Sequence, residues 1–555
     1  MQHFKKWPSG IPKSVDFPDQ SLIDNLYASV QKTPERTAMI FYGAEFTYAE
    51  LLHDIERLSG YLQSTLMLKT GEPVLLYLQN SPQFIISYYG ILHAGGVVVP
   101  VNPMSRHAEV AYLQADTDAR ILMAGGEVFE HAMPLLLAGK LEQILVTNYA
   151  ERVDPAYDLK LPASLVYREE DKIQALGCTL WSNAIQSARP QPPVKRTAHD
   201  LAIIPYSSGT TGQPKGCMHS HASTMATAVG GVLWHQFEEH SISLVTLPLF
   251  HVTGMQGAMN GPIYAGGTMV IMARWDREVA AELIKRYQIT RWRSISTMAI
   301  DMVNDPKLMS YDLSSLKAIG GGGAAMPAPV AHKLKEMTGL DYLEGYGLSE
   351  TMAATHLNPP QEPRAQCLGI PVFDVKSCVW SPESGEILAP NEIGEILMAG
   401  PQVFLGYWRR PEDTEAAFVT LDGTRYFRSG DIGYMDEDGF FYMVDRLKRM
   451  INVSGFKVWP AEIEAMMHAH PDIAEACVIG STHPRKGEAV KAIIVPTDPA
   501  SPPKADEIIT WCKSIMATYK CPKLIEYMDH LPKSGSGKVM WRALTDAENA
   551  QNKQG

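Results

Sequence analysis

Cysteine pairs, a surplus of basic residues and a secretion signal are all missing from this sequence of 555 residues. Its seven cysteines are scattered and form no Cys-x-x-Cys pair, so neither a disulfide framework nor a zinc site is indicated, and a reducing compartment is expected. Lys and Arg number 49 against 61 Asp and Glu, a net charge of −12 that argues against a general nucleic-acid binder. The N-terminal segment MQHFKKWPSG leads into no apolar run, so we predict a cytoplasmic protein without a signal peptide.

Long hydrophobic runs are also scarce. The nearest approach to a membrane span is FIISYYGILHAGGVVVPV, which begins at Phe84. Ser87, His93 and the glycines at 95 and 96 interrupt it, and it divides better into a buried helix followed by a buried strand. We therefore predict no transmembrane segment, while peripheral contact with a membrane stays open.

The composition is that of a globular enzyme, with 45% hydrophobic and 20% charged residues, and the length predicts at least two domains. Through the first 345 residues, short apolar runs alternate with helical periodicity, which predicts parallel sheets covered by helices. Asp276 is expected to cap a helix with one apolar face. The predicted strands are 73–78, 96–101, 120–125, 243–249, 267–272 and 316–320.

The pattern of residues changes towards the C-terminus. Between about 370 and 445, Gly and Asp turns crowd together and helix signals fade, which predicts a small β-rich subdomain. After it we expect strands at 475–480, 491–496 and 524–529 and a helix at 505–517. The predicted fold class is α/β: an N-terminal domain (1–445) of parallel, helix-covered sheets that includes the β-rich subdomain, and a small mobile α+β C-terminal domain (446–555).

A loop rich in glycine and hydroxyl groups, PYSSGTTGQPKG from Pro205 to Gly216, follows the apolar run LAII. Backbone N–H groups in such a turn can cradle phosphate oxygens, hydroxyls add donors, and a lysine adds a point charge. The spacing is not that of a Walker loop, and no Gly-x-Ser-x-Gly elbow occurs in the chain. A flexible turn without a ligand is the plain alternative.

Three further motifs follow this loop in order: EGYGLSET (344–351), YFRSGDIGYMDEDGFFYMVDRLKRMINVSGFKVWPAEIE (426–464) and PKSGSGKV (532–539). Together the four motifs closely resemble those of the acyl-adenylate-forming superfamily, which contains acyl-CoA synthetases, peptide-synthetase adenylation domains and beetle luciferases. The resemblance covers nearly the whole chain and is greatest to medium- or long-chain fatty acyl-CoA ligases. It implies an enzyme, an AMP-forming acid–thiol ligase that uses ATP with Mg²⁺ and takes coenzyme A as co-substrate.

The resemblance implies an ATP site shared among the motifs. Glu350 and Thr210 would hold the metal, Tyr346 would stack on the purine, and Asp431 and Arg446 would contact the ribose. Tyr346 alone reads more simply as core packing, and Asp431 and Arg446 alone as surface residues. The residues expected at ATP are Ser207, Ser208, Gly209, Thr210, Thr211, Gly212, Lys215, Gly322, Gly323, Ala324, Glu344, Gly345, Tyr346, Gly347, Ser349, Asp431, Arg446 and Lys538.

The resemblance also implies an acyl pocket and a catalytic set. Lys538 would stabilise the charge that develops during adenylation, with Glu350 and His251 as the other catalytic residues. His251 alone reads equally well as a structural histidine. The GGGG run at 320–323 predicts a close approach of a ligand to the backbone, against a plain turn as the alternative. The expected acyl pocket contains His251, Val252, Met255, Gly323 and Gly347.

The thiol-transfer step is implied to use the C-terminal domain. Lys448 matches the position of the hinge about which family members rotate this domain. The loop that would reach the active site for coenzyme A contains Ser454, Gly455, Phe456 and Lys457. Some coumarate-type ligases and luciferases carry lysines where this chain has Asn452 and Ser454. Because of this difference, the detailed contacts that those proteins make in this loop do not transfer directly to this chain.

The acid itself is not named by these motifs. A fatty acid is the prediction and an aryl acid the alternative, and no cationic residue stands out as a partner for a second charge on the substrate. Two other functions are weighed: loading of a separate carrier protein, disfavoured because no carrier domain is fused here, and a non-catalytic nucleotide-binding module, disfavoured by the retained site residues. A homodimer is one oligomeric state that the sequence leaves open.

Overall fold

A computed structural model describes residues 2–166, 170–207, 213–307, 310–323, 326–453, 456–483, 487–533 and 539–552. The chain forms two compact units. Unit one comprises residues 1–376 and 398–427, and unit two comprises 377–397 and 428–555. Unit two thus includes segments that precede the predicted boundary between 445 and 446, and the domain assignment itself stays a prediction.

The strands are short and mostly buried, as expected for sheets covered by helices. In chain order they are β1 (Thr37–Phe41), β2 (Ala44–Thr47), β3 (Pro73–Tyr77), β4 (Val97–Pro100), β5 (Ile121–Gly125), β6 (Gln143–Thr147), β7 (Thr179–Leu180), β8 (Leu201–Ile203), β9 (Tyr206–Ser207), β10 (Lys215–Ser220), β11 (Ile242–Val245), β12 (Thr268–Ile271), β13 (Arg291–Ser294), β14 (Ala318–Gly322), β15 (Tyr342–Leu348), β16 (Ala353–Leu357), β17 (Ile370–Pro371), β18 (Lys376–Trp380), β19 (Gly394–Ala399), β20 (Gly406–Tyr407), β21 (Phe418–Leu421), β22 (Thr424–Met435), β23 (Phe441–Arg446), β24 (Ile451–Val453), β25 (Phe456–Val458), β26 (Ile473–His483), β27 (Gly487–Pro496) and β28 (Leu524–Tyr527).

The α-helices alternate with these strands through unit one. They are α1 (Leu22–Lys32), α2 (Tyr48–Ser64), α3 (Pro82–His93), α4 (His107–Thr117), α5 (Met133–Leu137), α6 (Glu170–Ala175), α7 (Trp181–Ser187), α8 (His221–Trp234), α9 (Val252–Gly254), α10 (Gly261–Ala265), α11 (Arg277–Arg286), α12 (Ser296–Val303), α13 (Ala328–Thr338), α14 (Pro411–Ala416), α15 (Pro460–Met467), α16 (Ala505–Ile515) and α17 (Trp541–Asn552). A π-helix, Met255–Asn260, joins α9 to α10.

Two large sheets form the centre of unit one. The first has the order β17-β16-β15-β14-β13-β11-β12-β1-β2, and the second β20-β10-β8-β4-β3-β5-β6-β7 with β9 paired to β10. From β15 to β1, and from β8 to β7, every neighbouring pair is parallel. The predicted parallel sheets are therefore confirmed for these central strands, whereas the outer strands β2, β16, β17, β10 and β20 are antiparallel.

Local sequence signals account for several elements. Asp276 caps α11, because its Oδ1 accepts hydrogen bonds from the backbone N–H groups of Glu278 and Val279, each at 3.2 Å. Val279, Ala280, Leu283 and Ile284 bury the predicted apolar face of α11. The run beginning at Phe84 divides into α3 and β4, as expected. Among the described residues, no helix is long and apolar enough to cross a membrane.

Unit two has a sheet in which β18, β19 and β22 are neighbours and β23 pairs with β22. Its second sheet has the order β25-β24-β27-β26, with β28 parallel to β27. The long β26–β27 hairpin, α15 and α16 enclose a small core of its own. The strands and the helix predicted between 475 and 529 are all present.

Candidate active site

The two ends of the glycine-rich motif form paired antiparallel strands. β9 and β10 pair so that Ser207 lies opposite Lys215 and Tyr206 opposite Gly216. In the sequence, the two strands flank residues 208–214 of the motif, and β8 of the second sheet precedes them. Five predicted phosphate-binding residues, Ser208, Gly209, Thr210, Thr211 and Gly212, lie outside the described residues.

Lys215 is held by residues far along the chain. Its Nζ lies 2.5 Å from Asp413 Oδ1 and 5.2 Å from the centre of the Tyr407 ring, and the side chain is only 12% exposed. The pairing of Cys217 with Tyr407 and Met218 with Gly406 brings β20 alongside β10 and so fixes this arrangement. Lys215 therefore has a carboxylate partner in place, and its predicted contact with phosphate stays a prediction.

Glu350 lies in a 3₁₀ turn, Ser349–Thr351, that directly follows the parallel strand β15. Its Oε1 accepts a hydrogen bond of 2.9 Å from the Tyr407 hydroxyl, and its carbonyl oxygen accepts one of 2.8 Å from the Phe404 N–H. Burial raises the pKa of Tyr407 well above its usual value, and the Glu350 charge raises it further, so the phenol is a neutral donor. The turn thus presents Glu350 in a fixed position.

A buried histidine missed by the sequence analysis supports the same turn. His219 in β10 places Nε2 2.7 Å from the carbonyl oxygen of Ser349 and Nδ1 3.2 Å from Ser223 Oγ. Burial lowers the pKa of His219 to about 4, so the ring is neutral near pH 7. Only an Nε2–H ring can donate to the Ser349 carbonyl. The signal in the sequence was slight: a single histidine in the short strand KGCMHS, which mixes polar and apolar residues.

Glu344 is buried and accepts hydrogen bonds from two backbone N–H groups. It is 8% exposed; its Oε1 accepts from the Gln366 N–H at 2.7 Å and its Oε2 from the Met326 N–H at 3.3 Å. Burial raises the pKa of this carboxyl to about 7, against the lowering effect of the two hydrogen bonds. Glu344 joins two loops, and its predicted ATP contact stays a prediction. Ala324 lies outside the described residues.

The glycines of this region allow neighbouring strands to approach. A Cβ at Gly322 would touch the carbonyl oxygen of Gly345, and one at Gly347 would touch that of Ala353. Gly323 has a φ of +91°, a conformation that favours glycine. Tyr346 is 7% exposed and lies with its ring centre 5.7 Å from that of His356, so its ring is part of the packed interior. Strand packing alone thus accounts for Gly322 and Gly347.

Three of the five predicted acyl-pocket residues, His251, Val252 and Met255, lie at the start of one helical segment. His251 caps α9, since its Nδ1 accepts from the Thr253 N–H at 3.3 Å. Val252 and Met255 are 2% and 0% exposed. They belong to an extensive cluster of buried apolar side chains in unit one, so their surroundings are apolar.

Unit two holds the predicted ribose contacts. Asp431 in β22 is fully buried, and the Arg446 Nε lies 2.6 Å from its Oδ1 across the β22–β23 pair. Lys448 lies in the 3₁₀ turn Leu447–Arg449 that follows. Lys457 in β25 forms an ion pair with Glu383, and Phe456 begins that strand. Ser454, Gly455 and Lys538 lie outside the described residues.

Comparison with known proteins places the chain in a family. The family model for AMP-binding enzymes matches residues 26–408, and the model for the AMP-binding enzyme C-terminal domain matches 462–538. The chain therefore belongs to the AMP-binding enzyme family. The sequence-based predictions of the family, of the α/β fold and of an AMP-forming acid–CoA ligase are confirmed.

Individual relatives align over nearly the full length. A long-chain-fatty-acid–CoA ligase of Bacillus subtilis is 34% identical over 569 aligned positions, 99% of each chain. A feruloyl-CoA synthase of Amycolatopsis is 31% identical over 92% of this chain and 95% of its own. Among solved structures, ATP-bound MatB from Rhodopseudomonas palustris has a TM-score of 0.84 at 26% identity, covering 96% of this chain and 100% of its own.

Proposed function

We propose that this enzyme joins a fatty acid to coenzyme A at the expense of ATP, which becomes AMP and pyrophosphate. The observation that carries the proposal is the meeting of two motifs in unit one. β10 begins at Lys215 of the glycine-rich motif, and its His219, together with Tyr407 of the paired strand β20, holds the turn that presents Glu350. This arrangement supports the proposal, because the proposed phosphate-binding motif and the proposed metal carboxylate are connected through the same two strands.

The reaction has two halves. A carboxylate oxygen of the acid attacks the α-phosphorus of ATP, and pyrophosphate leaves. The sulfur of coenzyme A then attacks the carbonyl carbon of the acyl-adenylate, AMP leaves, and the thiol proton is released. No enzyme nucleophile is required, so catalysis depends on positioning and on stabilisation of charge. In this proposal, Ser207 and residues 208–212 bind the β- and γ-phosphates, and Lys538 stabilises the charge that develops near the α-phosphorus.

Mg²⁺ would be held by Glu350. Magnesium in nucleotide sites takes one or two protein carboxylates and completes its shell with phosphate oxygens and water. Glu350 fits a magnesium site of this kind, because it is a partly exposed carboxylate. In the described part of the chain, no three His, Cys, Asp or Glu side chains cluster into a closed metal cage. When bound, the ion would neutralise phosphate charge.

Residues of unit two would serve the ribose and the second half-reaction. The buried Asp431 carboxylate would accept hydrogen bonds from the ribose hydroxyls, with Arg446 beside it. Lys448 is proposed as the hinge, and residues 454–457 as the loop on the coenzyme A side. These roles follow from the motifs of the family to which the chain belongs.

A fatty acid is favoured by the long-chain-fatty-acid–CoA ligase that resembles this chain over 99% of both sequences. An aryl acid is the second candidate, because the feruloyl-CoA synthase aligns over 92% of this chain. The apolar surroundings of Val252 and Met255 suit either acid. Cytoplasmic location and a homodimer stay predictions.

The test is pyrophosphate release with ATP, MgCl₂ and coenzyme A over a panel of short- to long-chain fatty acids, benzoate and cinnamates, with the thioester product confirmed by mass. Acyl-CoA from medium- or long-chain acids supports the proposal. A clear preference for cinnamates would replace the fatty acid with an aryl acid. Adenylate without any coenzyme A thioester, but with transfer to a phosphopantetheine-bearing carrier protein, would overturn the assignment of the acceptor.

A further inference from the structure

A cavity in unit one lies between the first sheet and the π-helix. Leu244, Ile319, Leu343 and Ala258 contribute apolar atoms to the lining, and no Asp or Glu is among the lining residues. Two arginines and a histidine line the same cavity, Arg291, Arg293 and His235. An apolar cavity with a few convergent polar groups has the make-up of a ligand site.

Arg293 in β13 has no anionic partner. In the described part of the chain, neither an ion pair nor a hydrogen bond to its guanidinium is present, although the side chain is mostly covered. Burial, with a contribution from the Arg291 charge, lowers the pKa of Arg293 to about 10, so the group is still charged near pH 7. A buried charge without a partner is costly and requires an explanation.

Comparison with Arg291 shows that the lack of a hydrogen-bonding partner among the described residues is particular to Arg293. Arg291 lies two residues earlier on the same face of β13. Its guanidinium donates to Ser241 Oγ at 3.1 Å and to the carbonyl oxygens of His235 and Gln236 at 2.9 and 2.6 Å. It also stacks over Phe237, 4.8 Å from the ring centre. Arg291 is thus satisfied by the protein, whereas Arg293 is not.

The surroundings make room for the Arg293 guanidinium. A Cβ added at Gly257 of the π-helix would lie 2.5 Å from Arg293 Cδ and 2.6 Å from Nε, so only a glycine lets the side chain lie there unmoved. His235 adds a second polar group without a partner: its Nε2 is buried and makes no hydrogen bond to any described residue. Burial and the two arginines hold the pKa of His235 well below its usual value, so the ring is neutral.

The cavity continues the elements that carry the acyl pocket. Gly257 and Ala258 follow Met255 in the π-helix, and Gly320 precedes Gly322 by two residues in β14. At about 3.3 Å per residue, Gly320 lies roughly 7 Å from Gly322 towards the amino end of the strand. An acid whose carboxylate reaches the carboxyl ends of β14 and β15 would therefore extend its far end towards Arg293.

From this arrangement we infer that the cavity binds a second carboxylate, at the far end of the substrate acid, through Arg293 with His235 beside it. The substrate class is then an α,ω-dicarboxylic acid. The inference rests on the proposed acid–CoA ligase function and narrows its substrate. A guanidinium can bind a carboxylate through two parallel hydrogen bonds, which satisfies the charge, whereas the methyl end of a fatty acid leaves it uncompensated.

The test compares acids of equal length. The values of kcat/KM for hexanoate and hexanedioate, whose length matches the distance between Gly320 and Gly322, and for decanoate and decanedioate are measured by thioester formation with wild type, Arg293→Met and Gly257→Ala. We expect wild type to prefer the diacid of at least one pair. Arg293→Met should lower kcat/KM for that diacid on the order of a hundredfold and leave or raise that for the monoacid. Gly257→Ala should weaken the preference, because its methyl group displaces the guanidinium.

A matched control is Arg189→Met, which removes an exposed arginine from the segment between α7 and β8 and should leave both values unchanged. The thermal midpoint of the ligand-free protein supplies a second readout. Removal of an unpartnered buried charge should leave it equal or raise it, and a diacid should raise the midpoint of wild type more than that of Arg293→Met. A lower midpoint for Arg293→Met would indicate a structural role and contradict the inference.

Failure of the inference is distinct from failure of the proposed function. If wild type forms acyl-CoA from monoacids with equal or greater efficiency, and Arg293→Met does not change the ratio, the diacid inference is wrong while the ligase function stands. If no acid of either kind supports pyrophosphate release, the proposed function itself fails. Should Arg293→Met not fold, the wild-type preference and Gly257→Ala still decide the matter.

Discussion

The hydroxyl of Tyr407 donates a 2.9 Å hydrogen bond to Glu350 Oε1, across 57 residues of sequence. The same tyrosine ring lies 5.2 Å from Lys215 Nζ, and Lys215 in turn pairs with Asp413. One residue of β20 therefore contacts both the glycine-rich motif and the proposed metal carboxylate. We infer that β20 aligns these two parts of the ATP site.

Replacement of Tyr407 by Phe should lower the efficiency of adenylation. The change removes a hydrogen bond to a charged group, worth about 1.5–3 kcal/mol, and leaves the ring beside Lys215. That free energy corresponds to a fall of about tenfold or more in kcat/KM for MgATP. We also expect the variant to require a higher Mg²⁺ concentration. ATP–pyrophosphate exchange at varied Mg²⁺ measures both. Tyr61→Phe in α2, remote from the site in sequence, is the matched control, and a Mg²⁺ requirement equal to that of wild type in Tyr407→Phe would contradict the role.

His219 should act as a positioning residue for the Ser349–Thr351 turn. His219→Phe keeps a ring of similar shape but leaves the buried Ser349 carbonyl without its donor, which should cost about 1–3 kcal/mol of unfolding free energy. Adenylation should fall as Glu350 loses its fixed position. Because burial keeps the His219 pKa near 4, the loss should be the same from pH 6 to pH 9. A loss that appears only on one side of this range would indicate that the ring titrates and would contradict a purely positional role.

Glu344 should make stability depend on pH. Its pKa is about 7 in the folded protein, against an ordinary value of 4.5, so the folded state holds this proton more tightly than the unfolded state does. The contribution of Glu344 to the free energy of unfolding is therefore largest below pH 4.5 and is lost as the pH rises through 7. The loss is at most about 3 kcal/mol, at roughly 1.4 kcal/mol per pH unit.

Glu344→Gln isolates this effect, because the amide cannot ionise and can still accept the Gln366 hydrogen bond. In urea titrations between pH 4.5 and pH 8, the stability of the variant should rise relative to that of wild type as the pH increases. Parallel curves for the two proteins would show that Glu344 ionises normally. Glu488→Gln, which changes a less buried carboxylate in unit two, is the control for the loss of one negative charge.

The sequence allowed the framework of the fold to be predicted, but not the partners within the site. Apolar runs such as VVVP in β4 and the capping Asp276 reveal local structure directly, because their signals lie within a few residues. The antiparallel outer strands were missed, since β20 is only two residues long and joins β10 from nearly 190 positions away. Motifs located Lys215 and Glu350, whereas their partners Asp413 and Tyr407 lie in none of the four motifs.

The same limit explains why Arg293 did not stand out. In the sequence, Arg291 and Arg293 are two equal arginines in one short strand. Their difference arises only in three dimensions, where Ser241 and two carbonyl groups satisfy one guanidinium and Gly257 shapes a space for the other. The glycines are ambiguous in another way: Gly322 and Gly347 suggest a nearby ligand, but neighbouring strands also require glycine there, so the ligand contact stays a prediction.

Removal of Lys538 should separate the two half-reactions. Lys538 belongs to the PKSGSGKV motif and is proposed to stabilise charge near the α-phosphorus only while the acyl-adenylate forms. The rate of pyrophosphate exchange should therefore be at least about a hundredfold lower in Lys538→Ala, which is typical of the loss of one charge-stabilising group. Binding of ATP, followed by calorimetry, should persist, and so should formation of acyl-CoA from chemically prepared acyl-adenylate. Lys533→Ala, five residues earlier, controls for the loss of a positive charge in this segment, since Lys533 pairs with Glu475. Pyrophosphate exchange at the wild-type rate in Lys538→Ala would show that another group supplies the charge, and equal loss of both half-reactions would point to damage of the unit rather than to a role in adenylation.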